Sequence, residues 1–545
     1  MYEELQPNET QPEQPVMEPA APASQDAPRS PYTGQAPCPA APRPHYFSVG
    51  RREYAYAAFL LLACFLAVDA FLWSAPGLAA SAACVALAVI SGAYLLRGGR
   101  RWSVYGIFCW LAYLAGAVSF SVTTGSRVAV PLMMLPLAAA AMLERADLRQ
   151  YPGDFRAIAD QCYMIFALPF GKLGQAFSVL FCRSRSGEKR HIGSVLLGVL
   201  IAVPVVLIIV PLLISSDAAF AAMLEHWLSL DRLVELVSVL LLGLFLFLLL
   251  FGRLISLPRV RRRAASVSSG NGLEPAAVVS FLAVIAAVYA LYLFSQLAYF
   301  FQAFSGLLPA GFTVAEYARR GFFEMTLISA LNLGLIFLSH LICRKRDGRV
   351  PLAVRLLALF LCIFSLVLSA TVLSKLVLYI GSFGMTRLRI LTFIFTVFLI
   401  AVFLSVAVRL FVPRLPYMKL ALAAAAVLTL LCAYADIDRV IAHYNVDAYL
   451  SGRLETIDVS MLERMDSDGI VQDVLRLVDV PDAEVAQQVK ELLTAHADGL
   501  FELRRTDNGA QVILYGDWRS WNATTSKARD LLLTHYDEYY QCEAE

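Results

Sequence analysis

From about Tyr54 to Ala435 the apolar residues fall into runs of roughly 20 residues, separated by short polar or basic stretches. A run of that length crosses a hydrocarbon core as a helix. Backbone groups in lipid must be paired within their own segment, so each run predicts an α-helix. Period-two alternation, the signature of a membrane barrel, is absent. The pattern predicts an all-α polytopic membrane protein with eleven transmembrane helices, near 54–73, 76–96, 103–122, 126–143, 192–214, 233–256, 276–301, 322–343, 351–379, 388–411 and 416–435. The fourth is short and holds Pro131 and Pro136. Residues 144–190 mix charge with CYMIFALPF, which is too short to span and predicts an interfacial helix or re-entrant piece.

The flanks read differently. Residues 1–46 hold 11 of the 25 prolines, a composition that buries no core and predicts a disordered cytoplasmic tail. The polar, proline-rich start does not resemble a cleaved signal, so the first apolar run is expected to serve as the anchor. Residues 436–545 predict a small, mostly helical domain. IDRVIAHYNVDAYL continues the last span, SMLERM, IVQDVLRLV and PDAEVAQQVKELLTAHA form amphipathic helices, and WNATTSKARDLLLTHYDEYY closes the chain. AQVILYG is the one strand-like stretch.

Composition agrees with this class: 59% of residues are hydrophobic and 16% charged, against about a quarter charged in soluble domains. The net charge of +2 conceals a division, −12 over residues 435–545 and +14 over residues 1–434. Such asymmetry separates compartments and does not mark a nucleic-acid site. Across the eleven predicted helices, Lys and Arg divide 26 to 7 between the two faces. The positive-inside rule then puts the N-terminus in the cytoplasm and the acidic C-terminal domain outside it. The ten cysteines show neither CxxC nor Cys/His spacing, so no metal or cofactor is expected.

Ionisable groups near membrane depth are the candidates for function. In FTVAEYARRGFFEM, Glu316, Arg320 and Glu324 are spaced i,i+4 and share a helix face with Arg319 beside them. Lys375 and Tyr379 end the ninth helix, and Arg387 and Arg389 begin the tenth at the same depth. Arg319, Arg320, Glu324, Lys375, Arg387 and Arg389 form the expected binding site, open to the outer face and suited to a phosphate or carboxylate. The competing reading is that these cations snorkel to headgroups. Asp69, Asn332 and His340 could line a proton or ion path, or reach water and cap a neighbour. No Walker, HExxH, GxSxG or dinucleotide motif occurs, and no catalytic residue is named.

EYARRGFFEMTLISALN (316–332), YIGSFGMTRLR (379–389) and NVDAYLSGRLETIDVSML (445–462) resemble a family of bacterial polytopic membrane proteins, domain of unknown function 4173. The resemblance covers roughly 275–465 and implies a bacterial cytoplasmic membrane location, with no established substrate or catalytic residues. Three functions fit the chain. The first is transport or binding of a small anionic or lipid solute at the outer side. The second is an envelope sensor or scaffold, with an envelope protein as partner of the acidic domain and a cytoplasmic partner for the proline-rich tail. The third is a membrane enzyme of envelope assembly, disfavoured because the first outer loop, WSAPG, lacks a carboxylate. The lipid bilayer is the expected partner in each case, and nucleic acid in none.

Overall fold

The computed structural model describes residues 51–96, 102–123, 128–150, 156–174, 176, 209, 212–213, 215–216, 230–257, 272–304, 322–345, 349–506 and 509–540. The expected tail (1–46), the expected helix near 192–214 apart from residues 209 and 212–213, and Glu316, Arg319 and Arg320 lie outside the described residues.

Ten of the described helices are long and apolar enough to cross a membrane. They are α1 (Arg51–Leu72), α2 (Leu78–Leu96), α3 (Val104–Val122) and α4 (Ala129–Ala146), then, after two short helices, α7 (Leu230–Ser256) and α8 (Pro275–Phe304). α9 (Phe322–Ile342), α10 (Leu352–Phe383), α11 (Arg387–Phe411) and α12 (Tyr417–Ala435) complete the set. The chain is thus an all-α polytopic membrane protein. The run CYMIFALPF sits in α5 (Ala157–Cys162), a π-helical turn (Tyr163–Ala167) and α6 (Leu168–Gly171).

The helices pack as two groups. α1 lies against α2 and α7, and α3 lies between α2 and α4, while α10 packs on α8, α9 and α11. α12 bridges the groups by touching α3, α4 and α11. Small residues make the close approaches in the first group: Ala79, Ala80, Ala83 and Gly92 of α2 are buried. Lipid tails are as apolar as the side chains, so association rests on tight packing and hydrogen bonds instead of water exclusion. In the second group Asn332 of α9 supplies such bonds: it accepts from Tyr289 Oη of α8 at 2.7 Å and donates to Ser365 Oγ of α10 at 3.0 Å. Both amide atoms are used in packing.

Beyond α12 the chain does not continue straight, as the spacing predicts. It breaks at Asp436, which takes the left-handed conformation at φ 53° between α12 and α13 (Ile437–Leu450). Asp is among the few residues that adopt αL cheaply. α13 then packs with α14 (Val459–Glu463), α15 (Val471–Val474), α16 (Ala483–Leu500) and α17 (Ala523–Thr534) around a core that includes Ile441, Val474, Leu493, Leu532 and Tyr539. AQVILYG does become a strand, β2 (Gly509–Leu514), antiparallel to β1 (Phe501–Thr506), with Phe501 opposite Leu514. Its partner FELRRT follows α16 without a loop, and its charged residues hide the strand pattern.

Asp436 carries a pH dependence. It is 3% exposed, its Oδ2 accepts from Ser467 Oγ at 2.5 Å, and its Oδ1 is buried without a partner. Burial, with a further push from Asp438, raises its carboxyl above the ordinary range, against the opposing pull of Ser467 and Arg439. A raised carboxylate contributes stability below its unfolded pKa and loses it as pH rises through the folded value. Asp436→Asn, which keeps the αL preference, should therefore melt like the parent near about pH 4 and progressively above it towards about pH 8. Melting curves across that range check this, and a constant offset would show that ionisation of Asp436 is not responsible.

Candidate functional site

The segment after α12 folds back onto the ends of the membrane helices, and several of the expected site residues are met there. Arg387, the first residue of α11, donates from Nε to Asp438 Oδ1 at 2.9 Å and from an Nη to Asp438 Oδ2 at 2.5 Å. The same Nη donates to Asp466 Oδ2 at 3.1 Å. Two parallel bonds from a planar guanidinium to one carboxylate fix orientation as well as distance. Arg389 donates to the carbonyls of Phe383 and Gly384, closing the end of α10, and its guanidinium lies 4.1 Å from the Tyr379 ring centre. Lys375 is buried in α10, 9% exposed, and Glu324 is exposed in the first turn of α9. The structure thus brings Arg387 and Arg389 together around the α10–α11 turn and gives each its own protein acceptors.

That turn is also clamped by an amide. Asn445 Oδ1 accepts the Met385 N–H at 2.6 Å, and its Nδ2 donates to the Met385 carbonyl at 2.8 Å. Gly384 beside it has φ +74°, and a Cβ there would stand 2.7 Å from Asn445 Oδ1. Only glycine fits this approach.

A second anchor joins the far end of the chain to α1, α2 and α7. Arg519 donates to Asp69 at 2.9 Å and to Glu235 at 3.2 Å, with Asp517 2.6 Å from its Nε. The N–H groups of Leu78 and Ala79, which have no partner within α2, donate to the carbonyls of Trp521 and Arg519. A Cβ on Gly77 would meet the Ser520 carbonyl carbon at 2.5 Å, so this contact too requires glycine. Asp69 is here an ion-pair partner. His340 bonds back to the Ile336 carbonyl of its own helix at 2.9 Å.

Directly after the Asp436 break a cleft of about 380 Å³ opens between α13 and α15, lined by Arg439, His443, Gln472, Asp473 and Arg476. Asp473 is buried, and its Oδ1 lies 2.7 Å from His443 Nδ1 and 3.4 Å from Arg476. Arg476 reaches Asp447 at 2.7 Å and holds that carboxyl below its usual range. Gln472 Oε1 accepts from Arg439 at 3.2 Å and from Lys527 at 3.0 Å. Among the described residues, neither of these two cations is ion-paired with a carboxylate. Two cations therefore share one neutral amide oxygen, and Arg439 acts electrostatically on Asp436 as well. No metal-binding cluster of His, Cys, Asp or Glu occurs among the described residues.

Sequence reasoning passed over this cleft. Arg439, His443 and Asp447 recur every four residues and so share one face of α13, while Asp473 and Arg476 are i,i+3. That charged face was the available signal, hidden because the segment reads as the continuation of a span.

No curated protein and no solved structure matches the chain. A family model does match, over residues 57–474, described as domain of unknown function (DUF4153). This corrects the resemblance to domain of unknown function 4173. Of the stretches that carried that resemblance, YIGSFGMTRLR is an apolar helix end with flanking basic residues, a pattern that many membrane proteins share because lipid imposes it. The match takes in the membrane helices from α1 onward and the Arg387, Asn445 and cleft residues as far as Asp473. The chain therefore belongs to the family called domain of unknown function (DUF4153).

Proposed function

We propose that this multi-pass membrane protein binds a small anionic or lipid solute in the cleft beside the end of α12, as the recognition step of transport. The observation that carries the reading is the pair Arg439 and Lys527 sharing one neutral acceptor, with His443 and Arg476 alongside. A phosphate or carboxylate entering the cleft exchanges a weak amide contact for charge-assisted hydrogen bonds, roughly twice as strong. The basic residues at the α10–α11 turn belong to the same reading, as the support of the cleft's floor and not as its lining. The cell location proposed is a bacterial cytoplasmic membrane, with the acidic C-terminal elements and the cleft on the extracytoplasmic side, which the 26 to 7 division of Lys and Arg supports.

The test uses inorganic phosphate as probe. Phosphate should raise the melting temperature of the detergent-purified chain above a chloride control of equal ionic strength. Arg439→Gln should weaken that binding about tenfold, a loss of about 1.4 kcal/mol, read as the phosphate-induced shift of each chain against its own chloride control because Arg439 also pulls on Asp436. In right-side-out vesicles externally added phosphate should protect Val440→Cys, at the cleft lining, from a membrane-impermeant thiol reagent. No phosphate effect, or an equal effect in the variant, rejects the cleft as an anion site. Labelling only after vesicle inversion rejects the orientation.

A second reading, an envelope sensor or scaffold, is favoured by one observation. The elements after α12 are tied to the membrane helices at two places, Arg387 to Asp438 and Arg519 to Asp69 and Glu235. Occupancy of the cleft would then bear on the ends of α1, α7 and α11.

A further inference from the structure

At the opposite end of α12 the chain holds a second cavity, of about 340 Å³, that the cleft reading does not use. α12 has 19 residues, about 28 Å at 1.5 Å per residue, so the two openings lie at opposite ends of a membrane-spanning helix. One part of the cavity is lined by Arg149, Asp160, Gln161 and Lys419, and the remainder chiefly by Pro136, Phe398, Leu422 and Ala425. We propose that this cavity binds one phospholipid whose headgroup carries both a phosphodiester and a primary ammonium.

The charges argue for both halves of that headgroup. Glu144 pairs with Arg149 and also with Lys419, the latter at 2.7 Å, so two cations share one carboxylate. Both stand over the Tyr105 ring, with centroid distances of 5.9 Å for Arg149 and 4.9 Å for Lys419. Arg149 and Lys419 both line the cavity and suit a phosphodiester, while Asp160, which also acts on Arg149, balances the charge as a zwitterionic headgroup requires. Basic pockets between membrane helices take lipid headgroups for this reason. At the same end lie two acceptors. Asp160 is 1% exposed and accepts the Gln150 N–H at 3.0 Å. Gln161 Oε1 is buried with no hydrogen-bond partner.

An acceptor buried without a donor costs about 1–3 kcal/mol. A carboxylate beside it excludes a second anion and attracts a cation with N–H groups. An ammonium donates to Gln161 Oε1 and lies beside the Asp160 carboxylate, which separates this headgroup from a purely anionic one. The apolar lining separates a lipid from a soluble zwitterion. A soluble headgroup would leave Phe398, Leu422 and Ala425 against water, whereas an acyl chain covers them and continues into the bilayer. The cavity is sized for the headgroup and the first part of one chain.

Native mass spectrometry of the full chain in a neutral detergent tests the proposal, with phosphatidylethanolamine and phosphatidylglycerol of the same acyl chains as probes. Phosphatidylethanolamine should be retained about tenfold more strongly. Gln161→Leu should bring its retention down to that of phosphatidylglycerol and leave the latter unchanged. The same variant should not lower the melting temperature of the delipidated chain, because it removes an unsatisfied acceptor. Ala425→Phe, which fills the apolar part, should reduce retention of both lipids. Equal retention of the two lipids by the parent, or no effect of Gln161→Leu, overturns the proposal. So does displacement of phosphatidylethanolamine by phosphoethanolamine at equal concentration, which would show that the chain contributes nothing. The residues differ from those of the cleft, so either site stands or falls without the other.

Discussion

Arg387→Met is expected to cost about 3–5 kcal/mol of stability, because it leaves a buried carboxylate without its counter-charge. Asp438 is 2% exposed and takes both of its strong bonds from this one guanidinium. Its other acceptor contact is the Asp466 N–H at 3.2 Å, too little to replace a cation. Asp436 lies close enough to interact with it electrostatically, so the loss leaves Asp438 uncompensated beside a second buried carboxyl. Had Arg387 only snorkelled to headgroups, the same substitution would cost at most about 1 kcal/mol, the usual worth of an exposed ion pair. Thermal melting of the purified variant separates the two. Adding Asp438→Asn to Arg387→Met should recover most of the loss, since the stranded charge is then gone. A single variant that melts with the parent would show that the pair does not hold the junction.

Asn445→Ala is expected to cost about 2–5 kcal/mol, as it orphans two backbone groups at once at about 1–3 kcal/mol each. The Met385 N–H and carbonyl both bond to this one amide, which is 4% exposed, so water does not reach them freely. Asn445→Asp is the sharper comparison. It keeps an acceptor for the N–H but sets a carboxylate oxygen against the Met385 carbonyl, and should destabilise at least as much as alanine at neutral pH. Limited proteolysis should show the elements after α12 cut early in both variants, while α1 to α4 stay protected. Unchanged cleavage would mean that the α10–α11 turn is held by Arg387 alone.

The membrane helices were legible because lipid enforces a rule that the chain cannot evade. Every backbone group must be paired inside its own segment, so an apolar run of the right length is a helix wherever it packs. Ten of the eleven expected helices are found among the described residues, including the short one with Pro136, which α4 carries in its interior. The break at Asp436 was not legible, since Asp is also tolerated within helices and only the fold back towards Arg387 demands αL there. β1 stayed hidden because charged residues at three of the six positions of FELRRT break the apolar alternation that marks a strand.

The expected site residues divided in the same way. Position along a run could be read, and Arg387 does begin a helix long and apolar enough to cross a membrane, with Arg389 in its first turn. Their partners could not be read. Asp438, Asp466 and Asn445 lie 51, 79 and 60 residues from the groups they bond. A charge pairs with whatever the fold brings within about 4 Å, and sequence separation carries no information about that distance. The chain by itself therefore determined the class, the span boundaries and the division of charge, because these follow from local hydropathy. Which cations are spent on docking and which stay available to a ligand was decided only by the tertiary structure, where Arg387 meets two carboxylates and Arg439 meets a neutral amide.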